Sequence, residues 1–356
     1  MKNIVVLLTI LSLATREVRA QGCMAVRQIM GFGPYGLMNY DPASGSWMLN
    51  INNRYFNSFR TFKGTEDQHT PKENQVINKT YTLDLTLVRM FTNDWSMAVS
   101  LPISVNSRST KFEHGGTRHA THSYGIGDIR VMGYKWLLKS ATHQKGNVQL
   151  GLGLKFPTGD YRYMDYYYVN DTTRVLNPVD QSIQLGDGGT GVILEMNAFY
   201  RISRSFNVYG SFFYMSNPRE QNGTSTAKNA PVPPLAMKAG SDVMSVPDQY
   251  TARAGIAYLH RQIAAELGIR AEGVPVYDLI GGSGGLRRAG YNISLEPGIT
   301  YRLKKTVLYT YVPVSLARSI SQSYTDKNIS TITGVYTISP GGFPDFLIFV
   351  GATFTF

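Results

Sequence analysis

The sequence predicts an all-β fold: a closed antiparallel transmembrane β-barrel of about 12 strands, with short periplasmic turns and long extracellular loops. Three observations predict it. The segment Asp345 to Phe356 (DFLIFVGATFTF) alternates strictly, with Phe346, Ile348, Val350, Ala352, Phe354 and Phe356 on one face and Leu347, Phe349, Gly351, Thr353 and Thr355 on the other. A period of two sends successive side chains to opposite faces of a strand, one suited to lipid and one to a lumen. Segments of this kind recur along the chain, and their connections alternate in length. No segment beyond the N-terminal leader approaches the roughly 18 consecutive apolar residues of a spanning helix, so strands are the available way across a membrane.

Residues 1–20 read as a secretory signal peptide. Lys2 gives a positive start, Ile4 to Leu13 (IVVLLTILSL) an apolar run, and Val18-Arg19-Ala20 a small-x-small cleavage site. Residues 21–45, with Gly31, Gly33, Pro34 and Gly36, are less regular and fit either a luminal or a periplasmic segment. Cys23 is the only cysteine, which excludes an intrachain disulfide. Lipidation at Cys23 is disfavoured by Ala20-Gln21-Gly22, because a Leu is expected three residues before an acylated cysteine.

The barrel is expected over 46–356, with strands near 46–60, 77–91, 95–108, 121–138, 146–159, 189–202, 205–216, 249–260, 262–273, 288–303, 305–317 and 344–356. Short turns fall around Thr92-Asn93-Asp94, His143-Gln144-Lys145, Ser203-Arg204, Arg261 and Lys304-Lys305. Long polar stretches occupy 61–76, 109–120, 160–188, 217–248, 274–287 and 318–343. A soluble sandwich has no reason to segregate loop lengths in this way. The terminal strand should pair with the first near Trp47–Tyr55, leaving no open edge. It also resembles the terminal-aromatic strand by which outer-membrane barrels are recognised, which makes Phe354 and Phe356 the expected signal for the barrel-assembly machinery.

Net charge is +11, and removing Lys2, Arg16, Arg19 and Glu17 leaves +9. The Lys and Arg residues are scattered, with no basic helix or run, so no nucleic-acid partner is expected. Outer-membrane lipid or an anion-favouring lumen is the better use of that charge. The 23 Tyr, 16 Phe and 3 Trp suit aromatic girdles at two lipid interfaces.

Charges within alternating segments must point inward, because lipid accepts them poorly. That places Asp84, Lys155, Glu195, Arg253, Glu266, Arg270, Glu272 and Glu296 in the lumen, joined by Arg54, Asp128 and Arg130. Two uses fit this polar network: a structural lattice that fills the barrel, or the lining of a solute path.

Other candidates carry little chemistry. Glu113-His114 and His119-x-x-His122 match no established metal spacing, and a solvated loop is the expectation. Gly186 to Gly191 (GDGGTG) lacks the Lys-Ser/Thr of a phosphate loop and precedes a strand, so it reads as a turn. No Ser–His constellation of an outer-membrane lipase stands out, so no catalytic residue, metal or cofactor is expected.

The order Gly125-Ile126-Gly127-Asp128, then Phe156-Pro157-Thr158-Gly159-Asp160, then Gly186 to Gly191 resembles the transporter barrels grouped as the MetA-pathway of phenol degradation family. The resemblance covers roughly residues 121 to 200 and implies an outer-membrane barrel passing small organic, including aromatic, solutes. The alternatives are a closed barrel whose loops bind a surface or partner and, third, an outer-membrane enzyme.

Overall fold

A computed structural model of the chain describes residues 46–228 and 231–356; the expectations for 1–20, 21–45 and Cys23 lie outside those residues. A 14-stranded sheet forms the wall. Its strands are β1 Trp47–Ser58, β2 Ile77–Met90, β3 Trp95–Thr110, β4 His119–Ile126, β5 Arg130–Trp136, β6 Gly146–Lys155 and β7 Gly191–Arg201. They continue as β8 Phe206–Ser216, β9 Gln249–His260, β10 Ile263–Val274, β11 Gly290–Arg302, β12 Thr306–Tyr311, β13 Val314–Ile320 and β14 Leu347–Thr355.

β4 and β5 are two halves of one stave, interrupted at 127–129, since both pair with β3. β12 and β13 are likewise halves of one stave beside β11. The 14 strands therefore make 12 staves. Neighbours pair antiparallel throughout, and β10 joins β11 to complete the ring. β14 pairs with β1, with Met48 opposite Thr355 and Phe56 opposite Leu347. Closure removes every sheet edge, the condition for strands to cross lipid.

Alternation sorts the two faces. On β14, Phe349 is fully buried while Val350 is 49% and Phe354 38% exposed. Leu152 on β6 is 65% exposed between glycines that face inward. In water such an outer face would forgo about 25 cal/mol for each Å² of apolar surface left exposed. Against lipid it forgoes nothing.

Short turns hold one rim. Thr92 Oγ1 accepts the N–H groups of Asp94 (3.2 Å) and Trp95 (3.0 Å), and Ser203 Oγ those of Ser205 (3.3 Å) and Phe206 (3.1 Å). Such hydroxyl turns close a hairpin without extra residues. Around this rim lie Arg89, Lys135, Lys139, Lys145, Arg201, Arg204, Arg261, Arg302, Lys304 and Lys305, with Asp94 the lone acid among the described residues there. Arg89 sits over Trp47 (4.9 Å), Lys135 over Trp95 (4.9 Å) and Lys145 over Tyr200 (5.3 Å).

The long loops fold over and into the opposite mouth. Helix α1 (Pro234–Ala239) and helix α2 (Tyr324–Thr333) meet there, and Asn328 Nδ2 donates to the Ala239 carbonyl at 3.2 Å. α2 starts with a capping box, Ser323 Oγ accepting from Asp326 N–H (3.1 Å) and Asp326 Oδ2 from Ser323 N–H (3.0 Å).

Several sequence expectations shift. The strand expected over 121–138 is broken, the one over 146–159 stops at Lys155, and 305–317 is split before running on to Ile320. The break at 127–129 follows Gly125, whose φ of +146° suits glycine, and it frees backbone groups that 156–159 then satisfy.

Candidate functional site

The inner wall of staves one to five is a lattice of short polar side chains carrying a few long charged ones. One row runs Asn50, Thr86, Ser100, Arg130, Lys155 across paired strands. The next row up holds Asn52, Asp84 and Pro102, and the third Arg54, Thr82 and Ser104. Asp84 thus lies between the rows of Arg54 and Arg130, and it interacts electrostatically with both. Asn52 Nδ2 donates to Asp84 Oδ2 (3.2 Å), and Arg54 to Thr82 Oγ1 (3.4 Å).

The three glycine-rich segments converge at the break in the wall. Asp128 sits in the gap between β4 and β5 rather than on a strand, and its carboxylate accepts the N–H groups of Gly159 (3.0 Å) and Asp187 (3.2 Å). The Lys155 ammonium pairs with Asp187 and lies 3.8 Å from Asp128. Thr158 bridges the gap: its hydroxyl donates to the Gly127 carbonyl (2.9 Å) and accepts from Ile129 N–H (2.9 Å). A Cβ on Gly186 would stand 2.4 Å from the Gly159 carbonyl oxygen, so glycine is needed where the two segments touch. The 186–189 stretch, expected to be a plain turn, is instead buried inside the barrel, and β7 begins only at Gly191. A free-standing turn would leave Asp128 and Lys155 without Asp187.

Above this point the lumen holds a pocket. Arg54, Asp84, Asp128, Arg130, Lys155, Asp187 and Arg288 line it, with Phe56, Pro102, Leu185, Met215 and Val274 as its apolar part. Met215 also belongs to a cluster of buried apolar side chains with Phe213, Ile193, Met132, Ala98, Val88, Met90 and Met48. That cluster leads from the pocket along the inside of the barrel to the short-turn ends of β1 and β2.

A second network covers the opposite wall. Arg253 pairs with Glu296 (Nε to Oε1 2.7 Å), and Arg270 with Glu272 (2.8 Å) and Glu296 (3.6 Å). Glu266 accepts from Tyr311 (2.8 Å) and Thr300 (3.0 Å). Glu195, half-buried, accepts from Tyr134 (3.0 Å) and Asn197 (3.0 Å). The eleven residues expected to form one network are thus brought together as two, with Glu195 on β7 interacting electrostatically with Arg130 of the first.

A third cluster closes the loop-side mouth. Arg108 at the end of β3 grips Glu113 (2.8 Å) and lies 3.7 Å from Asp180; Asp180 also meets Lys228 (3.0 Å) and Arg288 (3.0 Å), and Lys228 meets Glu113. Burial pushes both acids up, but the surrounding cations outweigh it and hold Glu113 below, and Asp180 well below, the ordinary carboxylate range.

The solvated loop expected at Glu113-His114 is corrected here: Glu113 is 7% and His114 1% exposed. His114 stacks on Tyr167 at 5.3 Å, and His119 on Tyr168 at 3.9 Å. His114 Nδ1 accepts the Tyr168 N–H at 3.2 Å, which leaves the proton of a neutral ring on Nε2. Burial pushes the imidazole down to about 4. His122 stays exposed.

Asp187, Asp180, Lys228 and Arg288 were not legible as site residues, because loops bring them in from afar. Arg108 had a signal: it continues the inward parity of Ser104 and Asn106.

Closed ring, lipid-facing apolar exterior and charged interior define an outer-membrane β-barrel. No family model matches the chain, and no curated protein does. Among solved structures it is similar to an outer-membrane channel from Pseudomonas putida F1, with TM-score 0.57 and 11% identity, covering 89% of this chain and 98% of that one. Weaker likenesses include the toluene transporter TbuX of Ralstonia pickettii (TM-score 0.39, 10% identity, 95% and 96% covered) and the monoaromatic hydrocarbon channel CymD (0.43, 11%, 92% and 94%).

Proposed function

We propose that this chain is an outer-membrane channel for small organic solutes, which cross from the loop-side mouth through the luminal pocket to the short-turn rim. The apolar track from Met215 to Met48 and Met90 carries this reading. Its eight side chains are packed closed at 0–4% exposure, and Met is unbranched and adapts its shape, so the strip is the part of the interior that can repack around a solute with an apolar body. The P. putida neighbour is itself named an outer-membrane channel. Kinship with the MetA-pathway barrels is part of the proposal, supported by the meeting of their three motif segments around Asp128. On the same reading residues 1–20 are removed on export, 21–45 lie in the lumen or periplasm, and Phe354 and Phe356 address the chain to the assembly machinery.

The test is flux. Refolded barrel in liposomes should admit toluene-sized solutes, and Met132→Glu in the track should slow them. A barrel that neither conducts in planar bilayers nor passes solute, with the 156–190 loop intact or trimmed, would favour the closed reading, to which the buried mouth cluster gives support.

A further inference from the structure

We propose that a recess on the short-turn rim binds the phosphate headgroup of an anionic phospholipid, with the acyl chains of that lipid lying on the outer wall beside it. Such a site concerns the lipid around the barrel and stands whether or not a solute passes through the lumen.

The ten cations and one acid of the rim equal the whole +9 of residues 21–356, because cations and acids cancel over the rest of that sequence. Within the rim, the turns at 202–205, 261–262 and 303–305 follow one another around the ring and meet at one recess. Arg204, Arg261, Arg302 and Lys304 line it, and no acid does. Asp94 belongs to the turn between β2 and β3, where its carboxylate accepts the Ser140 N–H at 2.8 Å. Among the described residues none of the four recess cations makes an ion pair or a side-chain hydrogen bond. Like charges held together repel, and an anion placed among them removes that cost.

The backbone adds an independent sign. Arg261 has a φ of +55°, in the left-handed region that Gly and Asn adopt most readily. It opens a two-residue hairpin turn closed by the pair His260 and Ile263, where Asn or Gly is the usual choice. An arginine is no help to that turn, which points to a use for its side chain.

The wall next to the recess favours a lipid over a free anion. Phe206 and Tyr258 are cross-strand partners with ring centroids 5.2 Å apart, both exposed on the outer face. Tyr301, exposed on the same face, donates its hydroxyl hydrogen to Gln262 Oε1 at 3.0 Å, and Gln262 lines the recess. Leu303 in the recess lining and Leu308 opposite Tyr301 extend the apolar surface. Aromatic rings with a polar end sit at headgroup level, so a phosphate in the recess has its chains beside them. A zwitterionic headgroup would bring a fifth cation to the four already there, which selects net-anionic lipid.

The experiment uses the full barrel folded in detergent, with folding checked by heat-modifiable migration, and native mass spectrometry to count bound lipid. Phosphatidylglycerol should bind saturably and at least about fivefold more tightly than phosphatidylcholine of the same chains, the scale of one cation near an anionic headgroup. Arg204→Gln and Arg261→Gly should each weaken phosphatidylglycerol about fivefold and leave phosphatidylcholine unchanged. Glycine suits the Arg261 backbone, so Arg261→Gly should fold at least as well as the parent. Lys139→Gln removes the same charge elsewhere on the rim and should change neither lipid.

Equal binding of the two lipids would overturn the proposal. So would equal weakening by Lys139→Gln and the two recess variants, since net charge and not the recess would then be the cause. Glycerol 3-phosphate, charged but without chains, should fail to displace the lipid; displacement at equal concentration would make the ligand a free phosphate and overturn the lipid assignment. Displacement by an oligoglutamate peptide at equal concentration would overturn it in favour of an acidic protein partner. Liposome flux keeps the two claims apart: lipid selectivity without flux leaves this site standing and removes the channel, and flux without lipid selectivity does the reverse.

Discussion

Trp47 and Phe356 exchange two backbone hydrogen bonds, Trp47 N–H to the Phe356 carbonyl at 2.8 Å and Phe356 N–H to the Trp47 carbonyl at 3.0 Å. The two ends of the wall are thereby joined like any interior pair of strands. Closing the ring and being recognised during assembly are separate tasks, and they can be told apart. Phe356→Ala keeps both backbone bonds, so purified protein should still fold in detergent with heat-modifiable migration. Its yield in outer membranes should fall several-fold. Deleting Phe354 to Phe356 removes the bonds as well and should abolish heat-modifiable migration in both settings. Equal membrane yield of Phe356→Ala and the parent would remove the assembly role.

Lys155 is the cation that both Asp128 and Asp187 face. Removing one partner of a buried pair typically costs about 3–5 kcal/mol, because the other charge is left without compensation. Lys155→Met should therefore lower the unfolding free energy of the barrel in lipid, read from urea titration, by that order, with the midpoint falling accordingly. Lys155→Met with Asp187→Asn should recover much of the loss. A midpoint unchanged in the single variant would show that the ion pair does not hold the 156–190 loop to the wall.

Gly186→Ala tests the contact between the motif segments without removing any charge. The added carbon would meet the Gly159 carbonyl oxygen at 2.4 Å and Asp128 Oδ1 at 2.6 Å. Overpacking of this kind costs about 1–3 kcal/mol, and here it should push 184–188 away from Asp128. Faster proteolysis within 156–190, with the barrel still heat-modifiable, is the expected result.

Acid should loosen the mouth before it unfolds the barrel. Burial lowers the His114 imidazole from an ordinary 6.5 to about 4; Glu113 and Asp165 pull the other way, while His119 and Lys228 reinforce burial. A lowered value favours the neutral ring in the closed mouth, so its contribution is complete above about pH 6.5 and declines as pH falls toward 4. Protonation puts a hydrogen on Nδ1 and ends its acceptance of the Tyr168 N–H. Glu113 and Asp180, held low by their cations, release later, below the ordinary carboxylate range. Protease access to the 111–118 and 156–190 loops should therefore rise between pH 6.5 and 4 in the parent, and His114→Gln should flatten that rise.

What the sequence made legible follows from which forces act locally. Lipid on one side and a packed lumen on the other impose alternation residue by residue, so Val350 and Phe349 could be assigned to faces from their spacing alone. Hairpin lengths are equally local, and the turns at Thr92 and Ser203 stand where expected. The break at 127–129 was not legible, because Gly125 and Gly127 suit a bent strand as well as an interrupted one. What decides it is Thr158, 31 residues after Gly127 in the chain, filling the gap. The mouth cluster was hidden for the same reason. Glu113 looks like any polar loop residue until Arg108, Lys228 and their partners from other loops surround it. Lys155 reads as inward from its spacing, but its partner does not, since Asp187 is in a segment that reads as a turn.

The basic short-turn rim has an electrical consequence. Ten fixed cations and one acid at one end of the barrel, with near-balanced charge along the rest of the described residues, would make the two directions of ion flow unequal. Anions accumulate at that end and cations are depleted there. A conducting barrel should therefore rectify, with current at one voltage polarity exceeding that at the other, more so in dilute salt where the rim is less screened. The sign of the rectification would report which way round each barrel has inserted.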